Sequence, residues 1–366
     1  MRVLVCTVVH HPGDARIYFR QIRALLEAGH QVTYIAPMGE PGAPERLGAG
    51  LTTVAIPRAV GKRRLTALRA ARAALASHAP SADLLLVHDP ELLLVLPPRA
   101  NRPPTVWDVH EDTAAALTTK AWLPAFLRPV AAGGVIAAEH LAERRLHLIL
   151  AETGYNDRFK GTHPVVPNTA YVPETAAPPG GPRRVVYIGW LSPDRGSAEM
   201  TELGRLLAPH GIAVELVGQA DGQAQEHIRA AAEAVHWHGF VPNAQALQLA
   251  DGALAGLSLL QDEANFRHSM PTKVIEYMAR GLPVITTPLP LAVDLVTSAD
   301  CGFVVPFNDP QAAAEAILKL DADHDLRVAM GARGHEAAQR DLGWPKAARE
   351  FVAQLEQWAR PIGSSA

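Results

Sequence analysis

The chain is poor in the residues and motifs that would place it in several large functional classes. Two cysteines among 366 residues, Cys6 and Cys301, lie far apart, each inside an apolar run (VLVCTVV and SADCGFVV). They are too few for a disulfide framework or a thiolate metal cluster, and read as incidental thiols of a cytosolic protein. There is no Cys-x-x-Cys, no His-Glu-x-x-His, no Gly-x-Gly-x-x-Gly and no Walker lysine loop, so the usual signatures of zinc, dinucleotide and P-loop sites are missing. No apolar run approaches the roughly 18–20 residues of a membrane span. A formal net charge of -3 argues against general binding of nucleic acid. The opening MRVLVCTVVHHPGD does not read as a secretory signal, because its apolar stretch is short and HHPGDAR stands where a cleavage site would be. It reads as a buried first strand.

What the chain does contain is alternation. At roughly 150 residues per domain, its length favours two domains. VLVCTVV is followed by IYFRQIRALLEAGH, with Ile17, Ile22, Leu25 and Leu26 at helical spacing and Gly29 as a stop. QVTYIAP, LTTVAIP, DLLLVHDP, PTVWDVHED and LHLILAE are further strand-like runs. Short apolar strands that each end in a polar tip before a helix predict an α/β fold, a parallel sheet covered on both faces. PNTAYVPETAAPPGGPRR is a Pro- and Gly-rich seam, and a second set of strands follows it: RRVVYIGW, IAVELVG, AVHWHGF, ALAGLSLL, LPVITTP and CGFVVP. The expected organisation is a Rossmann-like domain over 1–170, a linker at 171–183, a second Rossmann-like domain over 184–345, and an amphipathic helix over 346–366 that returns to the first domain. Ligands of such sheets bind beyond the carboxyl ends of the strands. That rule points at His10, His11, His88, Asp89, His110 and Glu111.

The most informative stretch is HSMPTKVIEYMARGLPVITTP, residues 268–288. Pro271 suits the first turn of a helix and Gly281 its stop. Lys273 and Glu276 are three apart, so they share a face near the helix N-terminus, where free N–H groups and the helix dipole favour an anion such as phosphate. Glu276 can accept hydrogen bonds from two adjacent hydroxyls, as on a ribose. A surface Lys–Glu helix pair would have the same spacing.

PTKVIEYMARGLPVI resembles the donor-binding segment of the family 4 glycosyltransferases, retaining enzymes of the GT-B fold. The family motif has one Glu, seven residues, then a second Glu on the helix. Glu276 matches the second, which in the family holds the donor ribose. The first falls on His268, a departure at a position that in the family contacts the donor sugar, so an unusual sugar is allowed. Ser269, Met270 and Pro271 complete the donor segment. YIGWLSPDRGSAEM is similar to the family's diphosphate loop. Gly189 fits, Trp190 stands where an Arg is usual, Arg195–Gly196 matches the family Lys-Gly, and Lys273 can supply the second cation. GFVPNAQ resembles the segment that flanks the nucleobase, with Phe240 and Val241 in contact.

In the first half, His11, Pro12, Asp14, Arg16 and Ile17 match a family subgroup with a His-Pro-x-Asp-x-Arg-Ile loop. Asp14 can cap the helix, or it can face the acceptor or a donor phosphate. Arg16 is the stronger candidate for that contact. VHDPELLLVLP and WDVHED match two more subgroup segments. His110 falls on the histidine that closes over the donor sugar, His88 and Asp89 shape a loop, and Glu111 and Asp112 can be caps or acceptor ligands. These segments occur in the family's order across nearly the whole chain.

The resemblance implies a metal-independent, retaining hexosyl- or related transfer with His110, Arg195 and Lys273 as the catalytic groups. It implies no resident cofactor, the co-substrate being a nucleotide-diphosphate sugar, UDP-, GDP- or dTDP-linked. The acceptor would be a glycan, a lipid-linked intermediate or a natural-product-type small molecule. A GT-B epimerase, an inverting transferase and a catalytically silent homologue remain alternatives. The segment 58–78, with Arg58, Lys62, Arg63, Arg64, Arg69 and Arg72, and the nearby Trp122 and Phe126 fit either a solvated face or peripheral membrane contact at the inner face of the membrane.

Overall fold

The computed structural model describes residues 1–40, 43, 48–110, 128–178, 180–267 and 269–359. Glu111, Asp112, Trp122, Phe126 and His268 therefore lie outside the described residues.

The strand-like runs of the first half become β1 (Arg2–Cys6), β2 (Gln31–Ala36), β3 (Leu51–Ala55), β4 (Leu84–Val87), β5 (Thr105–Val109) and β6 (His147–Leu150). They form one parallel sheet in the order β3-β2-β1-β4-β5-β6. Those of the second half become β7 (Arg184–Ile188), β8 (Ala213–Val217), β9 (His236–Trp237), β10 (Ala255–Ser258), β11 (Val284–Thr286) and β12 (Gly302–Val304), in the order β12-β11-β10-β7-β8-β9. Counted from its own first strand, each sheet runs 3-2-1-4-5-6, the doubly wound order. The central strands are buried along their length, as in β4 (LLLV) and β5 (TVWDV), which is why they read as continuous apolar runs. The edge strands β3 and β9 keep exposed residues.

By internal contacts the chain divides into one unit of Met1–Asn168 with Pro345–Ala366 and a second of Thr169–Trp344. The Pro-rich segment 171–183 belongs to the second unit. There the Gln339 side chain donates to the Pro173 and Glu174 carbonyls at 3.0 and 2.9 Å. The last helix described runs over Trp344–Ala359. Within the first unit its Trp358 stacks on His147, with centroids 4.6 Å apart, and Glu356 lies 2.9 Å from His30.

Each sheet reverses its winding once, between β1 and β4 and between β7 and β10. At such a reversal the helices leave on opposite faces and open a crevice beyond the strand ends. Helix α1 (Arg23–Glu27), entered through a π-helical turn over Ile17–Ile22, follows β1. Helix α2 (Arg64–His78) buries the stripe Ala67, Ala71 and Leu75. Lys62, Arg63, Arg69 and Arg72 are exposed, and Leu65 is 70% exposed. Helix α3 (Ser197–Leu207) follows β7, and helix α4 (Thr272–Ala279) follows β10.

Candidate functional site

The reversal in the second unit is built around Tyr187, the penultimate residue of β7, which is fully buried. Its hydroxyl donates to the Trp190 carbonyl at 2.6 Å. The same oxygen accepts from Lys273 Nζ at 3.3 Å, and the Arg195 guanidinium lies near enough to act on it electrostatically. Lys273 also sits 4.5 Å from the centroid of the Tyr187 ring, within cation–π range. The Arg195 guanidinium lies 5.5 Å over the Phe266 ring.

Local backbone chemistry sets these cations in place. Gly196 ends the turn that carries Arg195, with a φ of +83°, and a Cβ there would stand 2.2 Å from the Leu259 carbonyl oxygen. Only glycine fits both constraints. Gly189 turns the chain out of β7 with φ at +142°, and a Cβ on it would face the Lys273 Cε at 3.6 Å. Helix α4 is pinned by Tyr277, whose hydroxyl accepts from the Ile188 amide at 3.0 Å and donates to the Leu257 carbonyl at 3.3 Å. Pro271 is the cap residue of α4, and the helix begins at Thr272. That is one residue later than the sequence suggests. Gly281, with φ at +71°, follows the helix end as expected.

Two cations meet at this one phenol. Burial lowers the Lys273 ammonium to about 7, helped by repulsion from Arg195 and opposed by Glu276 and Asp194. Burial likewise pushes the Tyr187 hydroxyl up to about 12, against the pull of Arg195. Lys273 and Glu276 are each 8% exposed, so they are not a solvated surface pair. Trp190 and Phe240 are each 46% exposed. Val241 is half-buried against the core, and Ser269, Met270 and Pro271 are half-buried at the entry to α4.

The reversal in the first unit is centred on Asp108 of β5, a carboxylate with no exposed surface. Arg16 Nε and Nη2 grip its two oxygens at 2.7 and 2.6 Å, and Gln21 Nε2 donates at 3.0 Å. His88 Nδ1 lies 3.1 Å and His110 Nδ1 3.4 Å from the same carboxylate. Burial alone would raise the Asp108 carboxyl; Arg16, with hydrogen bonds from His110 and His88, holds it well below the usual carboxylate range. Burial pushes the His88 imidazole down, against the opposing pull of Asp108. Asp89 accepts from Thr7 Oγ1 at 2.8 Å and from the Val8 amide, so it fastens the end of β1. Asp14 accepts from the amides of Arg16 and Ile17 at 2.8 and 3.0 Å and so caps the turn into α1. His11 Nδ1 accepts from the Gly13 amide at 3.0 Å and shapes the same loop.

Arg16 needs correcting. Expected to face an acceptor or a donor phosphate, it is 4% exposed. Its remaining nitrogen, Nη1, donates to the Val166 carbonyl and Asn168 Oδ1, both at 2.9 Å. Its charge offsets Asp108. His88, Asp108 and His110 also bring ligand-type atoms within 4.8 Å of one another, a grouping the spacing of these residues does not reveal. The guanidinium already paired with both Asp108 oxygens opposes a metal ion there. Sequence reasoning missed Asp108 and Tyr187 altogether and kept His10 only as a strand tip. The available signal was a lone carboxylate and a lone phenol inside otherwise apolar central strands (TVWDV, RVVYI), where a polar group needs a buried partner.

Two family descriptions match the chain: "Glycosyl transferase 4-like domain" over residues 15–146 and "Glycosyl transferases group 1" over 182–323. Between them they take in most of both units, and the fold is that of GT-B proteins. Each half of the chain is thus similar to one of two glycosyltransferase domain descriptions, in succession along the sequence. A curated relative is WcaL of Salmonella typhimurium, a glycosyltransferase named for colanic acid biosynthesis, 24% identical over 197 residues, 51% of this chain and 48% of that protein. The chain thus spans about half the length of the curated relative it matches. Among solved structures, a sucrose-phosphate synthase from Thermosynechococcus elongatus superposes with a TM-score of 0.74 at 17% identity, over 97% of this chain and 98% of the other. HepE of Anabaena, solved with UDP and glucose, superposes with a TM-score of 0.70 at 15% identity, over 97% and 99%.

Proposed function

We propose that the chain transfers a glycosyl group from a nucleotide-diphosphate sugar to an acceptor hydroxyl, with retention at the anomeric carbon and without a bound metal. The observation that carries this reading is the pair Arg195 and Lys273, placed near one buried phenol at the reversal of the second sheet, where burial and repulsion from Arg195 bring Lys273 to about 7 in spite of Glu276 and Asp194. A diphosphate is an anion of the right size and charge to relieve that repulsion. Glu276, one turn along α4, would accept from the ribose hydroxyls, and Phe240 and Val241 would flank the base. HepE, a structural neighbour, was solved with UDP-glucose, which supports a nucleotide-sugar donor.

In the step proposed, the acceptor oxygen attacks the anomeric carbon on the face from which the diphosphate departs. The bond between that carbon and the diphosphate oxygen breaks, and the acceptor's proton passes to the departing diphosphate. Arg195, Lys273 and the first N–H groups of α4 stabilise the charge that grows on the leaving group, and His110 meets a hydroxyl of the donor sugar. The acceptor is a glycan, a lipid-linked intermediate or a small natural product. The exposed basic residues of α2, with Leu65, suit an acceptor presented at a membrane surface, which co-sedimentation with anionic liposomes tests.

The deciding experiment is a metal-free calorimetric titration with UDP, GDP, ADP, dTDP and CMP. One diphosphate should bind, and Glu276→Ala should weaken it. Binding by none would remove the donor site. A half-exposed Trp190 where the family usually has a cation favours one competing reading, a homologue that binds donor without turnover. Donor bound with neither transfer nor slow hydrolysis would decide for it.

A further inference from the structure

The histidine assigned to the donor sugar, His110, is contacted at both ring nitrogens, and its contacts with described residues fit one arrangement of protons in the neutral ring. Its Nδ1 lies 3.1 Å from the Asp108 carbonyl oxygen and 3.4 Å from Asp108 Oδ2. Both are acceptors, so Nδ1 carries the hydrogen, and in the neutral ring Nε2 is then a lone pair. His10 Nε2 stands 2.9 Å from that lone pair. The other group on His10 Nε2 is Asp89 Oδ1, at 3.2 Å, again an acceptor. His10 therefore holds its hydrogen on Nε2 and shares it between His110 and Asp89. The far nitrogen of His10 lies 3.9 Å from Asp14 Oδ2. Asp89 is itself immobilised by Thr7 and Val8, and Asp108 by Arg16 and Gln21. The outcome is one continuous line, Asp108–His110–His10–Asp89, anchored at each end to backbone or to a buried guanidinium.

We propose that Asp108 and His10 are positioning residues for His110: Asp108 fixes its tautomer and ring plane, and His10 holds its Nε2 in place as an acceptor. A hydroxyl of the donor sugar displaces the His10 N–H and donates to the same lone pair, so the site is formed before the sugar arrives. The role given to His110 rests on the transferase reading; the proton arrangement does not. His10 can take up the slack by turning its N–H wholly to Asp89, which leaves no buried donor unpaired when the sugar binds.

The test is long-range 1H–15N correlation of the histidine rings in the full chain, with His110→Gln for assignment, alongside steady-state kinetics of ring variants. The expected spectrum shows His110 with a protonated Nδ1 and a lone-pair Nε2. His10→Ala should leave Nδ1 protonated by way of Asp108 but shift the His110 Nε2 signal, whose N–H partner is lost, and lower kcat by roughly tenfold to a hundredfold, the range of a misplaced catalytic group. KM for the donor should change little. His10→Gln, which keeps an N–H donor at the same reach, should restore most of both. A wild-type His110 protonated on Nε2, or ring signals and kcat unmoved in His10→Ala, would overturn the proposal. If the wild type turns over no donor, the transferase reading fails, while the ring signals still decide the tautomer.

Discussion

The two sheets share one strand order, yet their reversals are electrostatic opposites. In the first unit a buried carboxylate, Asp108, is matched by one guanidinium, two imidazoles and an amide. In the second, two cations, Arg195 and Lys273, share one phenol, and burial with mutual repulsion brings the lysine to about 7. In the first the carboxylate's charge is paired within the protein, although His88 Nε2 and Gln21 Oε1 stay buried without a hydrogen bond among the described residues. In the second, Asp194 and Glu276 only partly offset the burial and repulsion felt by Lys273, so an added anion would favour its charged form. A shared topology thus supplies a crevice in each unit, and the side chains at the strand ends decide whether it is a charge-paired support or a candidate anion site.

The largest expected break in this comparison is in stability. Arg16→Ala leaves Asp108 charged and buried with its main partner gone, which costs about 3–5 kcal/mol. A denaturant titration should show that loss in wild-type against variant midpoints. Lys273→Met should show no such loss, because it removes a charge that burial already disfavours. Equal losses in both would mean the two reversals are not electrostatic opposites.

Turnover should divide the other way. Arg195→Ala and Lys273→Ala should each lower kcat by ~10²-fold or more, the scale of removing one preorganised charge stabiliser, with the unfolding midpoint little changed. Near-normal rates in both variants would refute the electrostatic role given to the second reversal.

A proton measurement sharpens the same point. Lys273 is brought from 10.5 to about 7 in the folded chain. Between those values the unfolded chain holds a proton that the folded chain does not, so stability rises with pH across that window and levels off below it. Lys273→Met should flatten that slope. A bound diphosphate favours the charged lysine, so binding at pH 8 should take up protons, and affinity should fall as pH rises above about 7. Titrations in two buffers of different ionisation enthalpy measure the uptake. None at pH 8 would mean the diphosphate does not reach Lys273.

The layered fold was legible because the central strands are apolar runs closed by polar tips, while the edge strands β3 and β9 carry exposed residues. Two features were not, and for a shared reason. Arg16 looks like a phosphate ligand until Asp108, 92 residues away, is found to grip it. The pairing of Lys273 with Arg195 through Tyr187 likewise joins β7, its following loop and α4. Local spacing shows what a residue offers, but the partner that uses it comes from another strand, and only the sheet order brings the two together. Where the partner lies within a few residues, as with Asp14 capping Ile17 or Gly281 ending α4, spacing alone was enough.

The smallest expected effect is the most discriminating. Trp190 stands where the resembling family usually has an Arg, and it is 46% exposed. An added cation there is largely solvated, so Trp190→Arg should strengthen diphosphate binding by only about 0.2–1 kcal/mol, the range of exposed ion pairs. The accompanying proton balance carries more information. The Trp190 carbonyl accepts from the same Tyr187 hydroxyl that Lys273 contacts, so a cation at 190 adds to the repulsion on Lys273 and lowers it further. Binding at pH 7 should then take up more protons in the variant than in the wild type, even where affinity hardly changes. Tighter binding with unchanged proton uptake would mean that the side chain at 190 meets the diphosphate away from Lys273, and that the two cations of the second reversal do not act on one phosphate group.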